Sequence, residues 1–312
     1  MKFRTEINVV KSELDITHAS KILAIGSCFV ENVGKLLSDY QFNICVNPFG
    51  IIFNPYSISK ILQNALNPTA NYNLDFVERQ QTFYAYDFHS KFNATSQTAL
   101  LQKINSTHKK TSQSLLNADI LMLTFGTAWI YKHKTLNQVV ANCHKVPQQH
   151  FSKELLDLDD LKQIYFNLFK NILDNNKLLK IILTVSPVRH LKDGFIENNQ
   201  SKSILLLLCD YLVKMFPNQV IYFPAYEIIM DDLRDYRFYN ADLVHPNGQA
   251  IDYIFEKFSA CFFNDKTLSI LPKIKQLNQL KQHRFLNANA QQILQHQNKI
   301  TELETLINST IR

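Results

Sequence analysis

Four short apolar runs, residues 22–25, 120–125, 179–185 and 219–223, each break off abruptly into small or polar residues, and this pattern constrains the fold more than any other feature. The runs are too short for core helices and are continuous rather than alternating, as strands covered on both faces are. Helical periodicity over residues 155–175 and 201–215 lies between them. Strand and helix in turn imply an α/β fold, an α/β/α sandwich around a central, mostly parallel sheet. Such sheets hold ligands beyond the carboxyl ends of their strands. The residues just past each run therefore matter most: Gly26-Ser27-Cys28, Gly126-Thr127-Ala128, Ser186-Pro187-Val188-Arg189-His190 and Pro224-Ala225-Tyr226-Glu227.

The 312 residues suffice for one large domain, and 46% hydrophobic against 19% charged residues excludes a disordered chain. The net charge of +6 is spread along the sequence, so nucleic acid is not the expected partner. No apolar stretch approaches the roughly 20 residues of a membrane span, and the N-terminus has no secretory pattern, so a cytoplasmic location is expected. Five widely spaced cysteines (28, 45, 143, 209 and 261) fit reduced thiols, and no spaced ligand set points to zinc or another metal. No cofactor motif is present.

Gly26 ends the first run and a helix begins directly after it, so Ser27 and Cys28 sit at a helix N-terminus. There the backbone amides and partial positive charge lower a thiol's pKa and favour an oxyanion. Either residue can serve as nucleophile; equally, Ser27 can cap the helix and Cys28 can pack as a small hydrophobe. Late in the chain, Asp242-Leu243-Val244-His245-Pro246 places a carboxylate three residues before an imidazole. In a turn that spacing lets Asp242 accept from Nδ1 while Nε2 faces a nucleophile, a base with its orienter. Arg189 suits bidentate binding of a carboxylate or phosphate, or an ion pair with Asp231, Asp232 or Asp235. His190 shares its strand end, and His89 and His144 are further candidates for the same cleft.

These segments carry a resemblance. Gly26-Ser27-Cys28-Phe29-Val30 resembles the signature of the GSCFA domain family, with Val30 where that family commonly has Ala. Asn47-Pro48-Phe49-Gly50, Asp87-Phe88-His89-Ser90, Thr124-Phe125-Gly126-Thr127-Ala128-Trp129, Ala141-Asn142-Cys143-His144-Lys145, Ser186-Pro187-Val188-Arg189-His190 and Leu233-Arg234-Asp235-Tyr236-Arg237-Phe238-Tyr239 are similar to it as well. The likeness runs over roughly residues 1–270, and the family is in turn similar to SGNH (GDSL-type) hydrolases. The resemblance implies Cys28 in the place of the nucleophilic serine, Ser27 in that of the motif aspartate, Asp242 and His245 as the dyad, and Gly50 as an oxyanion amide. The oxyanion asparagine of that family has no counterpart in Gly126-Thr127-Ala128. Its loss typically costs roughly 2.7 to 4 kcal/mol of transition-state stabilisation. Thr127, Asn142 and Asn47 are the replacements to test. The implied activity is hydrolysis or transfer of an acyl ester of a small molecule or glycan through a covalent acyl-enzyme; the alternative is a non-catalytic binding or scaffold protein with the same cleft.

From Pro272 the composition favours a long helix, dividing the chain into a domain at 1–271 and an extension at 272–312. Leu286, Ile293, Ile300 and Ile307 recur every seven residues, with Leu303 and Ile311 nearby. Arg284, Gln297 and Glu304 interrupt the seam, so docking on the parent domain as a monomer is expected ahead of a dimeric coiled coil.

Overall fold

The computed structural model describes residues 4–69, 74–285 and 289–311. In chain order its strands are β1 (Lys21–Gly26), β2 (Asn43–Val46), β3 (Phe76–Arg79), β4 (Thr82–Ala85), β5 (Asn93–Ala94), β6 (Ile120–Phe125), β7 (Trp129–His133), β8 (Gln138–Val140), β9 (Phe151–Leu155), β10 (Lys180–Val185) and β11 (Val220–Tyr222). The four apolar runs are β1, β6, β10 and β11, which join β2 in a parallel sheet ordered β11-β10-β6-β1-β2.

Helices cover both faces. They are α1 (Cys28–Asp39), α2 (Pro55–Ala65), α3 (Gln97–Leu116), α4 (Leu158–Asn175), α5 (Phe195–Met215), the short α6 (Ala225–Glu227), α7 (Gly248–Phe262), α8 (Asp265–Gln282) and α9 (Ala290–Ile311). Leu23 and Ile25 of β1 point into the core shared with α2 to α5, whereas Ile22 and Ala24 meet α1 and α7. That two-sided burial is why the strands read as unbroken apolar runs. Helix α1 leaves β1 on one face while the path from β2 to β6 runs over the other. The chain thus reverses its direction across the sheet at the β1/β6 boundary, and a crevice opens at their carboxyl ends.

Two antiparallel sheets, β3-β4-β5 and β8-β7-β9, are additions that the apolar runs do not announce. The expected helix at 155–175 starts at Leu158, because residues 151–155 pair with β7 as β9 and Asp157 caps α4. The C-terminal region is two helices rather than one from Pro272. Pro272 lies inside α8, and α9 folds back on it through Ile270, Ile274, Leu277, Leu303 and Ile307. Tyr40 joins this cluster, and Asn278 Nδ2 donates to Asp39 O at 2.7 Å, tying the hairpin to the end of α1. The seven-residue stripe is packed only in its second half: Ile300 and Ile307 join this cluster, Ile293 is exposed, and Leu286 lies outside the described residues. The face in use is Ile300, Leu303, Ile307 and Ile311, the helical repeat of a single straight partner. No described helix is long and apolar enough to cross a membrane.

Candidate active site

Gly26 must be glycine. Its φ is +153°, and a Cβ there would sit 2.3 Å from Thr124 O on the neighbouring strand. This close approach lets the chain turn from β1 directly into α1. Ser27 caps the helix, its Oγ accepting from Phe29 N at 3.2 Å, and is buried. Cys28 is the nucleophile candidate not engaged in the cap. It is half-buried in the lining of a cleft of about 570 Å³ that also takes in Ser27, Thr127, Arg189, His190, Asp242 and His245. Burial, and then the nearby Glu31 carboxylate, raise the thiol's pKa, outweighing the amides of Cys28 and Phe29 and the charge of Lys202. The sequence-based expectation of a depressed thiol is corrected: in this partly desolvated site the helix end is the weaker effect.

The turn at 242–245 builds the expected pair. Asp242 Oδ1 accepts from Val244 N and His245 N, both at 2.9 Å, and Oδ2 lies 2.7 Å from His245 Nδ1. Those two backbone bonds, with the imidazole contact, hold the Asp242 carboxyl down at about 2. A carboxylate on Nδ1 assigns the proton to that nitrogen and leaves Nε2 as the basic atom. Asn240 N donates to His245 O at 2.8 Å, bracing the loop on its own backbone.

The expected oxyanion groups distribute differently. Gly50 N donates to Asn47 O at 2.7 Å, so this amide is already used; its φ of +80° and the His89 Cβ against it show a tight turn instead. Asn47 Oδ1 accepts from Gly26 N at 2.8 Å, and Asn47 stands outside the cleft lining with Nδ2 buried and unpartnered. Asn142 Oδ1 accepts from His144 N at 2.8 Å, also outside the lining. Thr127 does line the cleft, but its hydroxyl meets Ser201 Oγ at 2.9 Å. Sequence reasoning missed Asn54. It caps α2 through Oδ1 to Ser57 N at 2.7 Å and lines the cleft, with no partner for Nδ2 among the described residues. Its signal was the Asn-Pro pair that opens a helix.

His190 is neutral: burial, aided by Lys202, lowers it to about 4. His89 lines the cleft, whereas His144 is buried outside it on Ala85 O. Arg189 pairs with none of its three candidate acids. Asp231 is held by Arg234 at 2.7 Å, Asp232 by Ile7 N and Tyr253, and Asp235 by Arg237 N. The second miss is Lys202, fully buried on α5, whose Nζ donates to Gly126 O at 2.6 Å and Ser186 O at 2.7 Å. It clamps the ends of β6 and β10, and burial lowers its pKa to about 7. Its signal was a lysine in phase with Leu205, Cys209 and Leu212 on the buried face of α5. Strands β7 and β8 supply part of the wall, where Trp129 donates from Nε1 to Glu197 O at 3.0 Å and carries Lys153 over its ring. Among the described residues no group of three or more His, Cys, Asp or Glu side chains is placed to hold a metal.

A parallel α/β protein with a thiol and an Asp–His pair in one cleft at its topological switch point is the class that fold and site define. The family model described as "GSCFA family" matches residues 21–258, which spans all these groups, and the chain belongs to the GSCFA family. No curated protein matches it. Among solved structures, one named "putative platelet activating factor from Streptococcus pneumonia" is similar at 12% identity over 81% of this chain and 86% of that one. Its TM-score of 0.37 is too low to bear on fold or activity.

Proposed function

We propose that the cleft transfers acyl groups from esters, to water or to a second alcohol such as a glycan hydroxyl, with Cys28 as nucleophile, His245 as base and Asp242 as orienter. The observation that carries this is the Asp242–His245 contact at 2.7 Å, in a cleft that Cys28 also lines. Because the resting thiol is protonated, its proton must leave as attack occurs. Sγ bonds to the ester carbonyl carbon while His245 Nε2 takes the thiol proton. The tetrahedral adduct collapses with loss of the alkoxide, which receives that proton and departs as the alcohol. Water or an acceptor hydroxyl then attacks the thioester, giving its proton to His245, and the thiol is restored as the acid or new ester leaves. Oxyanion charge falls to Asn54 Nδ2 and the Cys28 amide at the start of α1, in place of the occupied Gly50 amide.

Incubation with 4-nitrophenyl acetate followed by rapid acid quench and mass spectrometry is the test. The intact chain should gain one acetyl group on Cys28, His245→Ala should slow acylation by about 10² to 10⁴, and Asn54→Ala by about 10² to 10³. A chain that binds esters but never acetylates Cys28 would instead be the binding protein, the reading on whose side stand the occupied Gly50 amide and Thr127 hydroxyl.

A further inference from the structure

A second depression of about 400 Å³ adjoins the cleft, and Arg189 and Leu191 belong to the walls of both. Its lining includes three large side chains left in water, Phe195, Tyr236 and Leu243. Exposed apolar groups meeting in one concavity mark a binding surface more than scattered ones do. At the junction Arg189 has no carboxylate partner among the described residues: Asp235 lines the same depression but is engaged by Arg237, and Asp231 and Asp232 are engaged by Arg234 and by Ile7 N and Tyr253. Its Nε is buried without an acceptor, and among the described residues the side chain's one hydrogen-bonding contact is a weak one from Nη2 to Met230 Sδ at 3.3 Å. Lys202 nearby is likewise bound to carbonyls and no acid. Lys192 adds a cation to the cleft lining, while the acids there are occupied, Asp193 by Lys153 and Asp242 by His245. A partly desolvated guanidinium is ordinarily compensated by a charge from the protein. Here none is supplied.

We propose that Arg189 binds an anionic group of the substrate, a carboxylate or a phosphate, so that the ester reaches from the reacting carbonyl at Cys28 to this group at the junction of the two depressions. This rests on the acyl-transfer reading for the position of the carbonyl. The guanidinium fork matches either anion bidentately.

Two experiments keep this proposal separable from that reading. In kinetics, acetate esters of 4-nitrophenol, 4-hydroxybenzoate and 4-hydroxyphenyl phosphate are compared in the intact chain, Arg189→Gln and Arg189→Lys. Each variant's loss is taken substrate by substrate, so leaving-group reactivity cancels. Arg189→Gln should lower kcat/KM for an anionic ester by about tenfold or more, through KM, and leave the neutral ester within about twofold, with Arg189→Lys recovering part. The arm with the larger loss tells carboxylate from phosphate. In binding, 4-hydroxybenzoate and phenyl phosphate are titrated against Cys28→Ala and against Cys28→Ala/Arg189→Gln, reading the fluorescence of Trp129, the only tryptophan, and confirming by calorimetry. Arg189-dependent binding without turnover upholds the anion site and sinks the enzyme reading. Equal losses for neutral and anionic esters, or anion binding that is absent or unchanged in Arg189→Gln, overturn the proposal.

Discussion

A thiol in the first turn of a helix feels the amides and partial positive charge there, yet Cys28 is shifted upward because burial and the Glu31 carboxylate act on the same sulfur. The consequence is a thiol that holds its proton more tightly than an ordinary one, which suits proton transfer during attack rather than a preformed thiolate. Alkylation of Cys28 by iodoacetamide should therefore climb with pH and level off only above the ordinary thiol value of 9.0. Glu31→Gln should speed the reaction at neutral pH by about two- to fivefold. A labelling midpoint at or below pH 8 would mean a thiolate–imidazolium pair instead. At this scale the Asp242–His245 pair was legible because three residues span one turn, and the chemistry needs only that local geometry. Lys202 was not, since its partners are the carbonyls of Gly126 and Ser186 and carbonyls leave no trace in side-chain pattern. The same holds for Gly50, whose amide is taken by the Asn47 carbonyl.

Elements were legible in proportion to how completely they are buried. Strands β1, β6 and β10 have both faces covered, so composition alone marks them. Strands β7, β8 and β9 mix buried positions with half-buried or exposed ones, are short, and pair through contacts with β7 that lie close in sequence only for β8; they remained unseen though β7 and β8 wall the cleft. The C-terminal stripe misled for a related reason. A strict seven-residue repeat suits supercoiled helices, whereas α9 lies against one partner and buries the 3.6-residue face through Leu303 and Ile307. Ile307 is 1% exposed in a small satellite cluster, so Ile307→Ala should lower the unfolding free energy by about 2 kcal/mol, the low end for such truncations. Urea unfolding followed by circular dichroism measures it. A loss below about 0.5 kcal/mol would show that α9 does not stay on α8 in solution.

At the scale of the whole molecule, the reversal of chain direction at β1/β6 brings together segments far apart in sequence, and one buried cation fastens the floor on which they meet. Lys202 joins the ends of β6 and β10 beneath the cleft, so its titration should be felt by the stability of the entire fold. Its folded pKa of about 7 lies below the ordinary 10.5, because burial penalises the ammonium. Between those values the unfolded chain binds the extra proton, and stability must rise with pH through this window, by at most about 1.4 kcal/mol per pH unit. Above about pH 8 the thiols raised by burial, Cys28, Cys45 and Cys209 among them, act in the opposite sense, since the folded state keeps protons that the unfolded one, with thiols at the ordinary 9.0, releases. The interval from pH 7 to 8 therefore isolates the lysine. Urea midpoints measured across it should increase for the intact chain and stay flat for Lys202→Met, which keeps the length of the side chain and removes the charge. Parallel slopes in the two proteins would show that Lys202 keeps its proton throughout, held by Gly126 and Ser186 as a permanent ammonium.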